Sequence, residues 1–129
     1  FYISPTVSLM NIDHVTDFHR DWIQRGFLSH QDLNVNILQS PDWYRADCLP
    51  EKLKNKITSK IKNHIEWLKT KDHLQRATNG FKSAISFMNS NDNVKHLQKF
   101  NHVTNQLDKV RQEKFYKVFP ELAELKNYA

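Results

Sequence analysis

Leu53-Lys54-Asn55-Lys56-Ile57-Thr58-Ser59-Lys60-Ile61-Lys62-Asn63-His64-Ile65-Glu66-Trp67-Leu68 places Leu53, Ile57, Ile61, Ile65 and Leu68 at four- and three-residue spacing. On an α-helix such residues share one face, because the backbone turns once in about 3.6 residues. The pattern predicts a helix from Glu51 to Asp72 with one buried stripe. Pro50, whose φ is fixed near the helical value, suits its first turn. Seven lysines (Lys52, Lys54, Lys56, Lys60, Lys62, Lys69, Lys71) against Glu51, Glu66 and Asp72 give this segment 7 - 3 = +4 of the chain's net charge of +5. The lysines are spread around the polar faces and form no single ridge, as expected of a solvated surface. The alternative is a nucleic-acid surface built from Lys52, Lys54, Lys56, Lys60 and Lys62, although arginines, aromatics and amides that would read or stack on bases are not interleaved with them.

Downstream, Leu74, Ala77, Phe81, Ala84, Ile85 and Met88 predict a third helix over His73 to Met88, with Asn79-Gly80 costing it about 1 kcal/mol of helix propensity. Asn89-Ser90-Asn91-Asp92-Asn93 reads as a loop. A fourth helix, from Asn93 or Val94 to about Glu113, carries Leu97, Phe100, Val103, Leu107 and Val110 on one side. Phe119-Pro120 breaks it, since a residue before proline is pushed out of helical geometry. A last short helix is expected over Pro120 to Leu125.

Upstream, Pro41 to Leu49 reads as a loop bearing Trp43 and Tyr44. Asp32 to Gln39 alternates apolar and polar residues as a half-buried strand does. Ile12, Val15, Phe18, Trp22 and Ile23 recur at helical spacing, predicting a first helix from Asp13 onward, and Gly26 is placed to end it. Phe1 to Asn11 is strand-like. The resulting fold class is mainly α with a small β component (α+β): four or five helices and two short strands near the N-terminus, in one domain. With 39% hydrophobic residues, Phe 8, Tyr 4 and Trp 3, the chain can bury a core.

A mean hydropathy of -0.71 and the lack of a long apolar run argue against a membrane span. One cysteine, Cys48, cannot form an internal disulfide or a cysteine-rich metal site, so a reducing, cytoplasmic setting is expected. Beside Asp47 its thiol is expected to be partly buried and unreactive. His14 and His19 are five residues apart and point in different directions on a helix, and His96 and His102 are also off register, so no metal site is expected. Asp13, Asp17 and Asp21 share a face, but read best as a helix start (Asp13) and as residues exposed beside Arg20 and Arg25 (Asp17 and Asp21). No GxSxG elbow is present, and Gly26 and Gly80 alone cannot make a phosphate loop. Trp43 and Tyr44 stand apart: loop aromatics belong either to packing or to an interface or ligand wall.

Thr6-Val7-Ser8-Leu9-Met10-Asn11 followed by a helix, Asn36-Ile37-Leu38-Gln39-Ser40-Pro41, and Leu49-Pro50-Glu51-Lys52-Leu53-Lys54 are similar to the C-terminal region of the twitch-type radical S-adenosylmethionine proteins. Leu107-Asp108-Lys109-Val110-Arg111 and Phe115 through Phe119-Pro120-Glu121-Leu122 resemble the pattern that closes many of those chains. The resemblance spans nearly all 129 residues on short motifs. It implies the end of a partial barrel with an appended helical module, with Asn11, Asn36, Trp43 or Tyr44 near the substrate end. The family's CxxxCxxC triad is absent, so no catalytic residue carries over and no cofactor is expected on this chain. The parent it resembles would use an iron-sulfur cluster and S-adenosylmethionine. The expectation is a non-catalytic C-terminal fragment or accessory region that offers a substrate-side or partner-docking surface. The first residue is not Met, and the predicted strands lack neighbours, so a longer parent chain, another protein or a second copy is expected to pair with them.

Overall fold

The computed structural model describes all 129 residues. It is mainly helical, with a two-stranded sheet near the N-terminus: β1 (Thr6–Val7), α1 (Val15–Gln24), β2 (Asn36–Ile37), α2 (Glu51–Leu68), α3 (Arg76–Asn89), α4 (Leu97–Arg111) and α5 (Phe115–Val118). Short 3-10 turns lie at Asp42–Tyr44, Ala46–Cys48 and Val94–His96, and a longer 3-10 run follows at Pro120–Tyr128.

β1 and β2 are parallel, with Thr6 opposite Asn36 and Val7 opposite Ile37, and α1 lies in the crossover between them. The expected strands over Phe1 to Asn11 and Asp32 to Gln39 are much shorter in the fold. The ladder resumes at an isolated bridge between Ile3 and Leu33. Between the two stands Pro5, which accepts from the Asn36 amide but has no N–H to return to β2. Beyond Val7 the Ser8 amide donates to Asn11 Oδ1 at 2.8 Å, and a turn replaces the strand.

α2 buries Leu53, Ile57, Ile61 and Leu68, the predicted stripe, while Ile65 is only half-buried and His64 takes the inward place beside it. Pro50 is the N-cap, one residue earlier than the first helical position. The helix stops at Leu68 and not Asp72, because Asp72 turns inward to serve the next helix: its Oδ2 accepts from the Thr78 amide at 2.7 Å. Gln75 takes a left-handed φ of 58°, so α3 starts at Arg76 and not His73. α3 returns along α2 and buries Ala77, Phe81, Ala84 and Met88.

Gly80, a weakness by helix propensity, is required by packing. A Cβ built there would lie 2.9 Å from Val35 Cβ and 3.3 Å from Val35 N. Gly80→Ala is therefore expected to destabilise the fold by about 1–3 kcal/mol through overpacking, although alanine is the better helix former. Urea denaturation checks this, and a stabilised variant would show that α3 can move off Val35.

Asp47 is fully buried. Its carboxylate meets Arg45 at 2.7 Å and accepts from Asn93 Nδ2 at 2.8 Å, while its carbonyl accepts from the Asn93 amide. The Arg45 guanidinium lies over the Phe87 ring. The stretch Ala46 to Pro50, read as part of a loop, thus sits inside the core and ties the α2–α3 hairpin to the start of α4.

In α4, Leu97 and Phe100 are buried, Val103 and Leu107 half-buried, and Val110 is 81% exposed, so the predicted stripe stops short of its end. Gln112, with φ 54°, terminates the helix. After α5 the last element is a 3-10 run and not a short α-helix. It buries Leu122 and Leu125. The buried Asn101 holds it to α4 by donating to Leu125 O at 2.8 Å and Leu97 O at 3.1 Å, and accepts from Tyr116 Oη at 2.6 Å.

Candidate functional site

The outer edge of β1 carries backbone amides that are not paired in the sheet. Ile3, Pro5 and Val7 direct their ladder groups to β2, so the amides of Ser4 and Thr6 point the other way, and both residues are exposed. The far side of β2 is different, because α3 closes on Val35 at Gly80.

Asn11 is built into this edge: it accepts from the Ser8 amide and donates from Nδ2 to Thr6 O at 2.8 Å. Asn36, on β2, is exposed, and its Nδ2 reaches Ser4 O at 3.5 Å. The next turn brings Tyr44 against the same region, since the Leu9 amide donates to Tyr44 O at 2.9 Å. The Tyr44 ring packs edge-on against Phe100 and walls a pocket of about 340 Å³ with Met10, Leu107, Phe115 and Phe119. Trp43 is half-buried, with its indole N–H enclosed and unpartnered, and the Lys99 ammonium lies over its ring. Of the four predicted residues, Asn11 and Asn36 lie at the strand pair and Tyr44 borders a pocket, while Trp43 belongs more to packing.

Of the five lysines expected as an alternative nucleic-acid surface, Lys54 and Lys60 are engaged within the fold. Lys54 is buried and donates from Nζ to Asn91 O at 2.7 Å. Lys60 is drawn to α1, where its ammonium bonds to Asp13 O and meets Asp17 Oδ2 at 2.7 Å. Lys52, Lys56 and Lys62 remain exposed. The cause is tertiary: α1 and the Asn91 loop supply acceptors that the helical pattern cannot reveal. The Asp13 carboxylate also lies 3.5 Å from the Lys60 ammonium, so Lys60 serves both Asp13 and Asp17, while Asp21 pairs with Arg25 at 3.0 Å.

Cys48 is fully buried, and burial, with Asp47 beside it, pushes its pKa up to about 12, which leaves no thiolate near neutral pH. No group of three or more His, Cys, Asp or Glu side chains is arranged to hold a metal ion.

What the residue spacing did not reveal is a buried histidine pair. His19 Nδ1 and His64 Nε2 are 2.9 Å apart, with both rings packed on Phe81. His64 also stacks on Trp67, whose ring meets His30 as well and carries the Arg20 guanidinium at 4.3 Å. Burial lowers the pKa of His19 to about 4, with His30 adding to the effect and Asp72 opposing it. Burial likewise lowers His64 to about 3, with His19 and then Arg20 contributing. Both rings are therefore neutral at physiological pH. His14 instead meets Glu121 at 2.6 Å. The missed signal lay in α2, where Ile57, Ile61, His64 and Leu68 also satisfy helical spacing. No family model matches the chain, and no curated protein or solved structure matches it.

Proposed function

We propose that this chain is a non-catalytic C-terminal region, similar to that of the twitch-type radical S-adenosylmethionine proteins, which docks on the rest of a longer protein through the outer edge of β1. The observation that carries this reading is the pair of outward amides at Ser4 and Thr6 on a parallel two-stranded sheet. Parallel strands occur almost only inside larger sheets, and two strands alone are marginal. A β1–α1–β2 unit that α3 meets at Val35, on the far side from β1, and whose β1 edge is open is suited to extend a parallel sheet by one more strand. Asn11, Asn36 and Tyr44 then lie beside the junction and form the substrate-side or partner-side surface. The iron-sulfur cluster and S-adenosylmethionine belong, in this reading, to the part of the protein that precedes β1.

The upstream coding sequence is expected to continue in frame through a CxxxCxxC triad. In that longer protein the Thr6 amide should exchange with deuterium far more slowly than in the 129-residue chain. Equal exchange in both, or an upstream frame without the triad, defeats the reading. In the isolated chain the same edge is open to a second copy, so light scattering is expected to report a dimer that Thr6→Lys returns to monomer, because an edge lysine opposes strand pairing.

A further inference from the structure

A second site, formed entirely within this chain, is the pocket of about 340 Å³ bordered by the end of α4, by α5 and by the turn after β1. Its volume lies at the small end of the range of about 300–1,000 Å³ typical of small-molecule sites. Met10, Tyr44, Leu107, Phe115 and Phe119 supply its apolar walls. Those walls are braced from behind: the Tyr44 and Phe115 rings each meet the buried Phe100 edge-on, and Phe115 stacks on Phe119 at 4.7 Å. The pocket is therefore preformed.

Three charged side chains line it, all from the end of α4: Asp108, Arg111 and Glu113. Asp108 and Arg111 are three residues apart on the helix and so share a face. They do not pair; both Asp108 carboxylate oxygens accept instead from the Phe115 amide at 3.2 Å. One N–H leaves most of that carboxylate's acceptor capacity unused. After the left-handed turn at Gln112 the Glu113 amide donates to Asp108 O at 3.0 Å, which brings Glu113 back beside Asp108. Arg111 and Glu113 are both exposed, and neither joins an ion pair of the fold.

The lining thus carries two carboxylates and one guanidinium; Lys109, Lys114 and Lys117 are close in sequence but do not line the pocket. A simple anion would meet two like charges there, and a simple cation would meet Arg111. A ligand with one charge of each sign, set close together on an apolar body, matches all three groups and the apolar walls. An α-amino acid with a large apolar side chain has that form. Its ammonium and carboxylate share one carbon, which suits partners one helical turn apart, and a planar carboxylate suits the forked guanidinium. The aromatic faces of Tyr44, Phe115 and Phe119 add a favourable field for the ammonium.

We propose that this pocket binds a free α-amino acid with a large apolar side chain: the ammonium donates to Asp108 and Glu113, Arg111 holds the carboxylate, and the side chain packs on Met10, Leu107, Phe115 and Phe119. Tyr44 also belongs to the surface proposed above, but this site needs neither the strand pairing nor a preceding part of a longer protein, so the two readings fail separately. The test is titration of the 129-residue chain near pH 7, where an amino acid carries both charges, followed by NMR of the Met10 and Leu107 methyl groups. The separate probes are L-phenylalanine, hydrocinnamate, which lacks the ammonium, phenethylamine, which lacks the carboxylate, and glycine, which lacks the apolar side chain. L-phenylalanine is expected to shift both methyl signals saturably. Hydrocinnamate and phenethylamine should each bind about tenfold more weakly, and glycine should give no saturable shift.

Arg111→Gln should weaken L-phenylalanine by about fivefold without weakening phenethylamine, and Glu113→Gln should weaken L-phenylalanine without weakening hydrocinnamate. Both side chains are exposed, so each variant's thermal midpoint without ligand should stay within a few degrees of the parent's. Absence of saturable L-phenylalanine binding, or binding untouched by both substitutions in folded variants, overturns the site. Hydrocinnamate or phenethylamine binding as tightly as L-phenylalanine overturns the assignment to a ligand of both charges, and glycine binding as tightly overturns the role of the apolar walls.

Discussion

Lowering the pH from 7 to 5 is expected to remove about 4 kcal/mol of stability, about 2 kcal/mol for each ring of the buried histidine pair. His19 and His64 have folded pKa values of about 4 and about 3, against an ordinary 6.5. The unfolded chain therefore binds more protons than the folded one below pH 6.5. The stability from keeping the rings neutral is complete above that value and is lost progressively as pH falls towards the folded pKa values. The charged groups around His19 are His30, Asp72 and Asp32, and those around His64 are Arg20, Asp17 and His30. Asp72 and Asp17 temper the effect, while Arg20 and His30 strengthen it; burial remains the largest cause. Urea denaturation at pH 7, 6 and 5 measures the slope, and a His19→Leu, His64→Leu double variant should have lost most of it. Coincident urea midpoints for the parent chain at pH 7 and pH 5 would refute the neutral buried pair.

Asp47→Ala is expected to destabilise the fold by about 3–5 kcal/mol, the range for removing one partner of a buried ion pair. The carboxylate is fully buried and serves two partners, Arg45 and Asn93. Without it the Arg45 charge faces the core with Nε already unpartnered, and the Asn93 amide group loses its acceptor. The thermal midpoint should fall steeply, and Asp47→Asn, which retains one acceptor oxygen, should fall less. A loss under about 1 kcal/mol for Asp47→Ala would mean that water replaces the carboxylate and that the 3-10 turn is not a clamp.

The α-rich class, the order of the elements and the buried stripe of α2 were legible because helical spacing is a local property. Leu53, Ile57, Ile61 and Leu68 are buried as their positions predict, and Phe81, Ala84 and Met88 do the same in α3. Boundaries were less legible. Asp72 looked like the end of a lysine-rich helix, yet its carboxylate caps α3, and Pro5 shortened β1 by withholding one amide from a ladder whose partner lies about thirty residues away. Val110 met the spacing rule on α4 but faces water, because no element covers the helix there.

Residue types and their spacing determined the helical character of this protein, a small β component near the N-terminus and the exposed Lys52, Lys56 and Lys62. Tertiary structure alone decided that Lys54 and Lys60 turn inward, that Gly80 is needed to admit Val35, that Asp47 clamps the core, and that His19 meets His64. Helix periodicity assigns a face to each side chain, but a hydrogen bond between residues 45 positions apart depends on how two helices cross, and that is set by the packing of the whole core.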